Sequence, residues 1–281
     1  MNKFETKNIP NWCSGCGNFA IWTAFKEAAL KQGWDSSNTV FTAGIGCHGH
    51  MVNFVKITSF EGLHGRPIPL ASAVKMVNHK LNVFVFTGDG DCLAEGGNHF
   101  VHSSRRNDDI TVILHDNAIY GLTVGQTSPR SPRGYRSKSS PGGNIQKPIN
   151  PLQLAIVSGA TFVAREYSGD IPRLTELIIK ANEHKGFSLV DILQPCVTFH
   201  KQYTHTYFQK KIYQLDKDYN KTDKEKALQK AGEWGEKIPV GIFYQVEAPA
   251  HHEEIPQIKK RTLKDIPLKK RDISGLLKKH Q

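Results

Sequence analysis

The chain has 281 residues, of which 38% are hydrophobic and 22% charged, a balance typical of a globular protein. No run approaches the roughly eighteen apolar residues of a membrane span, and residues 1–11 lack the apolar core of a signal peptide, so we expect a cytoplasmic protein without membrane contact. The net charge of +11 is concentrated in residues 128–147 and 251–281, which either attract an acidic partner or form a solvated surface.

Predicted helices and strands alternate along the chain. Helices are predicted at 19–31, 68–77, 152–158 and 174–184, and strands at 39–43, 81–87, 110–115, 160–165 and 187–192. This alternation predicts an α/β fold with a doubly wound, mostly parallel sheet and helices on both faces. A long loop, 126–151, interrupts it. We expect a main domain at residues 1–200 and, at 201–281, an irregular extension that ends in a basic C-terminal arm.

A glycine–aspartate–glycine motif and a later asparagine each follow a predicted strand. Gly88-Asp89-Gly90 closes one strand, and Asn117 follows the next. Parallel sheets bind ligands beyond the carboxyl ends of their strands, so these residues are expected to meet there. Carboxylate and amide oxygens suit Mg²⁺, which often binds together with phosphate groups, and glycine permits close approach of a diphosphate. The alternative is an ordinary turn after a strand.

Four of the five cysteines occupy positions suited to a metal site. Cys13 and Cys16 form a C-x-x-C pair, while Cys47 and Cys196 each follow a predicted strand. Four thiolates can hold either a [4Fe–4S] cluster or a tetrahedral zinc ion, and spacing alone does not separate the two. The odd cysteine total argues against a disulfide framework. We interpret the fifth, Cys92, as a small buried side chain.

Histidine and arginine side chains crowd the region after the third cysteine. His50, His64 and Arg66 can contact a diphosphate or a substrate carboxylate, and arginine suits paired anion oxygens. A purely structural role for one of the two histidines is the alternative.

Eight motifs occur in order between residues 12 and 196. They are W-C-S-G-C-G-N (12–18), G-I-G-C (44–47), L-H-G-R (63–66), G-D-G-D (88–91), G-G-N-H-F (96–100), R-R-N (105–107), D-N-x-x-Y-G-L-T-x-G-Q (116–126) and L-Q-P-C (193–196). Together they resemble the β subunit of the 2-oxoacid:ferredoxin oxidoreductases, the class that acts on 2-oxoglutarate, pyruvate and related acids. The resemblance covers residues 9 to 246.

The resemblance implies a thiamine-diphosphate-binding domain and assigns roles to particular residues. It implies Mg²⁺ held by Asp89, Asn117 and the Ile119 carbonyl. It also implies one [4Fe–4S] cluster, in preference to zinc, held by Cys13, Cys16, Cys47 and Cys196. The cofactor-binding residues on this basis are Gly46, His64, Arg66, Gly88, Asp89, Gly90, Asp91, Asn117, Ile119 and Gly121.

The family implies a reaction and partners. A 2-oxoacid, 2-oxoglutarate or pyruvate, would be decarboxylated oxidatively to an acyl-CoA and CO₂, with coenzyme A as co-substrate and electrons passing through the cluster to ferredoxin. An α or α/γ polypeptide would pair with this chain, in a dimer of heterodimers, and would supply the glutamate that activates the cofactor ring. No nucleic acid is expected.

One position departs from the family pattern. The family often has lysine three residues after the third cysteine, where it can face the substrate carboxylate, and here His50 stands there. Histidine is neutral near pH 7 unless an anion raises its pKa, so carboxylate binding is expected to be tuned differently, and the 2-oxoacid stays open. The alternative is that His50 packs beside the cluster loop.

Two rival functions have some support in the sequence. A non-redox thiamine diphosphate carboligase or decarboxylase is opposed by the four cysteines and the short chain. A zinc-containing nucleic-acid-binding protein is favoured by the C-x-x-C pair and the pI of 9.4, but a second C-x-x-C and interleaved stacking aromatics are missing from the sequence.

Overall fold

The computed structural model describes residues 3–267 and 272–279. The strands are β1 Thr39–Ala43, β2 Thr58–Glu61, β3 Asn82–Gly88, β4 Thr111–Asp116, β5 Ile119–Tyr120, β6 Gln126–Thr127, β7 Phe162–Tyr167, β8 Ser188–Leu193, β9 Ile212–Gln214 and β10 Ile238–Gln245. The α-helices are α1 Asn18–Gln32, α2 Met51–Phe54, α3 Pro67–Val77, α4 Gly97–Arg106, α5 Pro151–Ser158, α6 Ile171–Glu183, α7 His205–Lys211, α8 Lys224–Gly232 and α9 Ser274–Leu277.

An eight-stranded sheet runs in the order β2-β1-β3-β4-β8-β7-β10-β9. Its neighbouring strands are parallel except that β10 runs antiparallel to β7. Successive residues of a strand point to opposite faces. Phe84 and Phe86 of β3 therefore enter the core beneath α1 and α6, while Val83 and Val85 enter the core beneath α3, α4 and α5. This confirms the doubly wound α/β prediction.

The register of the central strands brings several loops together at one edge of the sheet. Gly88 of β3 pairs with His115 of β4, and Asp116 of β4 pairs with Leu193 of β8. Ala43, the last residue of β1, pairs with Phe86. The loops that follow these four strands therefore adjoin at the carboxyl edge, where the sequence predicted a ligand site.

The segment after residue 200 is more regular than the sequence suggested. Helices α7 and α8 lie where an irregular stretch was expected, and each begins at a capping side chain: Thr204 Oγ1 accepts from Tyr207 N at 3.2 Å, and Asp223 Oδ1 accepts from Lys226 N at 3.1 Å. Strands β9 and β10 join the main sheet. The sheet thus crosses residue 200, and the domain boundary there stays a prediction.

Residues 251–253 of the C-terminal arm pack at the opposite, amino-terminal edge of the sheet. His251 N donates to the carbonyl of Asn107, just before β4, at 3.1 Å, and Lys185, just before β8, pairs with Glu253 at 2.9 Å. The basic residues Lys269, Lys270 and Arg271 of the arm lie outside the described residues. Within the described part of the chain, no helix combines the length and apolar character that a membrane span needs.

Candidate functional site

A cavity of about 70 Å³ opens at the carboxyl edge of the sheet. It is lined by nine of the ten residues predicted to bind the cofactor: Gly46, His64, Gly88, Asp89, Gly90, Asp91, Asn117, Ile119 and Gly121. The tenth, Arg66, is exposed and does not line the cavity, because its guanidinium donates to the carbonyls of Glu95 at 2.8 Å and Gly65 at 3.2 Å. Cofactor binding by Arg66 stays a prediction.

Asp89 places a carboxylate in this cavity almost without contact with water, at 1% exposure. Burial and the negative charge of Asp116 raise its pKa, although the Ser128 hydroxyl donates to the carboxylate. Arg130 holds Asp116 in a buried ion pair at 2.6 Å, so the guanidinium is directed to Asp116 rather than to Asp89. A divalent cation beside Asp89 would favour its ionised form, and the carboxylate therefore fits a Mg²⁺ ligand.

Asn117 follows Asp116 directly and shares the cavity with Asp89. Its side-chain oxygen accepts a hydrogen bond from Ile119 N at 3.0 Å, which closes a tight turn after β4. This turn brings Ile119 to the cavity wall. The Asp89 carboxylate, the Asn117 side-chain oxygen and the main chain of Ile119 thus lie at one site. Mg²⁺ prefers hard oxygen ligands of this kind.

Asp91 connects the loop of His64 and Gly65 to the end of β3 through hydrogen bonds. Its carboxylate lies 2.6 Å from His64 Nδ1 and accepts hydrogen bonds from Gly65 N at 2.7 Å and Thr87 Oγ1 at 2.6 Å. Burial alone would raise its pKa, but hydrogen bonds and the adjacent His48 lower the pKa to about 2. Asp91 therefore stays ionised and fixes the orientation of His64 at the cavity.

The residues of this cavity that were not singled out from the sequence include His48, Tyr120 and Gln194. The buried His48 accepts a hydrogen bond at Nε2 from Gly88 N at 3.2 Å. The ring of Tyr120 leaves no room for a side chain on Gly90, because a Cβ there would lie 2.2 Å from a ring carbon. The positions of His48, Tyr120 and Gln194 in the sequence could have indicated them, because each lies in or next to one of the eight motifs, near Cys47, Asn117 or Cys196.

A second cavity, of about 290 Å³, brings the four candidate cluster ligands together. Cys13, Cys16, Cys47 and Cys196 all line it. The two cavities share a wall made of Cys47, Asn117, Gly121, Leu122 and Gln194. A group held by the four thiols would therefore lie beside a group held at the Asp89 cavity.

The environment of the thiols suits a site for bound metal cations. Burial and the neighbouring cysteines raise the pKa of Cys16 to about 11 and that of Cys47 to about 12, so bound cations are needed to keep these thiolates ionised. Gly121 lies between two of the thiols: a Cβ there would be in van der Waals contact with Cys47 Sγ at 3.6 Å and Cys196 Sγ at 3.7 Å.

His50 lines the cysteine cavity and not the Asp89 cavity. Its ring stacks on Phe54, with centroids 6.3 Å apart and an interplanar angle of 15°. Cys92 is 1% exposed, within the core that includes Phe100, and lines neither cavity.

Two family models of known proteins match this chain. Residues 44–192 match the family model of the thiamine pyrophosphate enzyme C-terminal TPP-binding domain. Residues 196–260 match the family model of the C-terminal part of the β chain of pyruvate ferredoxin oxidoreductase.

Relatives that match along most of the chain carry the same family name. A 2-oxoacid:ferredoxin oxidoreductase subunit beta of Sulfolobus sp is 46% identical over 87% of this chain and 84% of its own length. A 2-oxoglutarate synthase subunit KorB of Archaeoglobus fulgidus is 40% identical over 69% of this chain and 73% of its own. The solved 2-oxoglutarate:ferredoxin oxidoreductase from Magnetococcus marinus, with 2-oxoglutarate, coenzyme A and succinyl-CoA bound, superposes with a TM-score of 0.90 at 33% identity, covering 99% of this chain and 94% of that chain. The chain therefore belongs to the β subunits of the 2-oxoacid:ferredoxin oxidoreductases.

Proposed function

We propose that this β subunit, with its partner, converts a 2-oxoacid anion and coenzyme A into an acyl-CoA, CO₂ and one proton while reducing two ferredoxins by one electron each. The observation that carries this proposal is the shared wall between the Asp89 cavity and the four-cysteine cavity. A cofactor site and an electron-accepting site in these two cavities would be in direct contact. The solved relative with 2-oxoglutarate and coenzyme A bound supports both substrates.

The Asp89 cavity would hold thiamine diphosphate and Mg²⁺. Asp89, Asn117 and the Ile119 carbonyl would bind the ion, and the glycines of the cavity would admit the diphosphate. When bound, thiamine diphosphate supplies the carbanion chemistry of 2-oxoacid decarboxylation. Asp91 keeps His64 in place beside it.

Cys13, Cys16, Cys47 and Cys196 would hold one [4Fe–4S] cluster, which supplies one-electron transfer when bound. His50 would contact the substrate carboxylate from the adjoining cavity. His50 lines this cavity together with the shared wall residues Asn117 and Gly121.

The α subunit would cover the mouth of the Asp89 cavity. Ile45 and Leu63 are 38% and 79% exposed, and each adjoins a residue of that cavity wall, Gly46 and His64. Large apolar side chains exposed beside a cofactor site are suited to a protein interface. We extend the proposal to a dimer of heterodimers and to a cytoplasmic location, which suits five cysteines that are all free.

The test is an anaerobic assay of the assembled enzyme with 2-oxoglutarate or pyruvate. Ferredoxin reduction should require a 2-oxoacid and coenzyme A together, and acyl-CoA should form in proportion to the electrons transferred. Formation of a carboligation product or an aldehyde without any electron acceptor would favour the non-redox alternative instead.

A further inference from the structure

Glu95 ends a single turn of π-helix that follows the Gly88-Asp89-Gly90 motif. The π-helix spans Asp91–Glu95, and such turns are rare and often occur at functional sites. Asp91, its first residue, holds His64 at the Asp89 cavity. Glu95, its last residue, lines neither the Asp89 cavity nor the cysteine cavity. Any effect of Glu95 on a bound cofactor therefore passes through another residue.

The Tyr120 hydroxyl joins Glu95 to the wall of the Asp89 cavity. It donates to the Glu95 carboxylate, and its oxygen lies 3.1 Å from Oε1 and 3.2 Å from Oε2. Tyr120 lines the Asp89 cavity, and its ring packs against Gly90. One side chain therefore bridges Gly90, at the start of the π-helix, and Glu95, at its end.

The segment that contains Tyr120 belongs to the walls of both cavities. Ile119 and Gly121, its two neighbours, line the Asp89 cavity, and Gly121 also lines the cysteine cavity. Two backbone contacts support this segment: Gly125 N donates to the Tyr120 carbonyl at 2.8 Å, and Tyr120 pairs with Gln126 of β6. These contacts are local to residues 119–127, whereas the hydroxyl bond reaches the turn that follows β3.

The backbone of Glu95 is a rigid support for this bond. The Arg66 guanidinium donates to the Glu95 carbonyl at 2.8 Å. Gly65, at φ +71°, packs so closely that a Cβ there would lie 2.3 Å from the Glu95 carbonyl carbon. Gly65 N in turn donates to Asp91 at 2.7 Å. The loop before α3 therefore fixes Glu95, and Tyr120 is placed relative to a fixed carboxylate.

The contact of Glu95 with His64 is weaker than its contact with Tyr120. His64 Nε2 lies 3.9 Å from Glu95 Oε2, beyond hydrogen-bond range, whereas His64 Nδ1 lies 2.6 Å from Asp91 Oδ1. Asp91 is therefore the residue that orients His64. The Tyr120 hydroxyl is the closer link from Glu95 to the cavity wall.

We infer that Glu95 is a positioning residue of the cofactor site, which holds Tyr120 against Gly90. It thereby keeps the Ile119 carbonyl in the place where it would bind Mg²⁺ beside thiamine diphosphate. The inference rests on the proposed function and adds a residue that touches neither the ion nor the cofactor. A site that is ordered before binding loses less conformational entropy when its ligand arrives, so removing an ordering contact weakens binding.

The experiment measures the dissociation constant of thiamine diphosphate at saturating Mg²⁺, by titration calorimetry of the assembled enzyme after removal of its cofactor. The variants are Glu95→Ala, Glu95→Gln, Tyr120→Phe and the double variant Glu95→Ala/Tyr120→Phe. The matched control is Glu254→Ala, at an exposed glutamate that adjoins Glu253 at the amino-terminal edge of the sheet. Melting temperature and iron content are recorded for each protein. The Glu95 side chain is 38% exposed, so its truncation leaves no cavity in the core.

We expect Glu95→Ala and Tyr120→Phe each to raise the dissociation constant about tenfold, because each removes the same hydrogen bond. For that reason the double variant should bind no more weakly than either single variant. Glu95→Gln should bind nearly as tightly as the wild type, since its side-chain oxygen still accepts from Tyr120. Glu254→Ala should match the wild type in every measurement.

Wild-type affinity in Glu95→Ala or in Tyr120→Phe would overturn the inference, even with a lower melting temperature, because Glu95 would then only stabilise the fold. A loss of about a hundredfold in the double variant would also overturn it, since the two residues would act independently. Weak binding by Glu95→Gln would assign the effect to charge beside His64 and not to the hydrogen bond, again against the inference. A wild-type enzyme that binds no thiamine diphosphate would contradict the proposed function itself.

Discussion

The side-chain amide of Gln194 donates a hydrogen bond to Cys16 Sγ at 3.3 Å, from a position in the wall between the two cavities. Hydrogen bonds to cluster sulfurs stabilise the more negative, reduced state. Replacing Gln194 by leucine should therefore lower the midpoint potential of the cluster by about 40 mV, the equivalent of about 1 kcal/mol for one electron.

A potentiometric titration of the assembled enzyme checks this prediction. Iron content should stay at the wild-type value, because Gln194 is not a ligand. Gln194→Glu is the useful companion, since it keeps the size of the side chain and removes the donor when ionised. A potential that stays the same in both variants, with iron content intact, would show that the hydrogen bond does not tune the cluster.

Asp89→Asn should weaken Mg²⁺-dependent binding of thiamine diphosphate by at least about tenfold, equivalent to about 1.4 kcal/mol. The change removes the charge but keeps the shape, so the hydrogen bond from Ser128 can persist while the ion is lost. Titration calorimetry with and without Mg²⁺ measures the effect. Wild-type affinity in the variant would refute the assignment of Asp89 as a metal ligand.

His50→Gln should raise the KM for the 2-oxoacid about tenfold, the loss expected when a charge-assisted hydrogen bond to a carboxylate is removed. Iron content and thiamine diphosphate binding should not change, because His50 lines the cysteine cavity without being one of its thiols. His50→Lys, which restores the residue common in the family, should recover a low KM. If the KM is the same in all three proteins, His50 only packs against Phe54.

Glu166→Gln should stabilise the protein above neutral pH. Burial raises the pKa of Glu166 on β7 from 4.5 to about 7, so the folded chain holds a proton that the unfolded chain releases between those values. The contribution of Glu166 to the free energy of unfolding is therefore fully present below pH 4.5 and is lost as the pH rises through about 7. At pH 8 the variant should gain about 3 kcal/mol in the free energy of unfolding.

The check is the melting temperature of the assembled enzyme at pH 5 and pH 8. The variant should melt higher than the wild type at pH 8 and close to it at pH 5. If the melting temperatures of the variant and the wild type differ by the same amount at pH 5 and at pH 8, ionisation of Glu166 plays no part in stability.

The sequence predicted correctly those parts of the fold in which the local pattern of apolar residues matches the burial of their side chains. Continuous apolar runs identified β3 and β4, and the residues that end them, Asp89 and Asn117, do meet in one cavity. The C-x-x-C pair and the two cysteines that follow predicted strands indicated one metal site, and all four line one cavity. These features depend on strand ends, which the parallel sheet brings together regardless of side-chain detail.

Other features depend on long-range contacts that a single sequence does not display. Arg130 appeared to be one of five loop charges, but it folds inward because Asp116 needs a buried partner. Arg66 is predicted to bind the cofactor, and nothing in the sequence indicated that its guanidinium also donates to the Gly65 and Glu95 carbonyls. The helix α8 was missed because its residues are largely polar and its apolar face is only a few alanines wide.

The most direct test of the central claim is an electron paramagnetic resonance spectrum of the anaerobically assembled enzyme after addition of a 2-oxoacid alone. Cys16→Ser is compared with Cys92→Ser, a change at a buried cysteine that lines neither cavity. We predict the signal of a reduced [4Fe–4S] cluster in the wild type and in Cys92→Ser, but not in Cys16→Ser. A wild-type protein that contains one zinc and no iron, or a cluster that no 2-oxoacid reduces, would contradict the account.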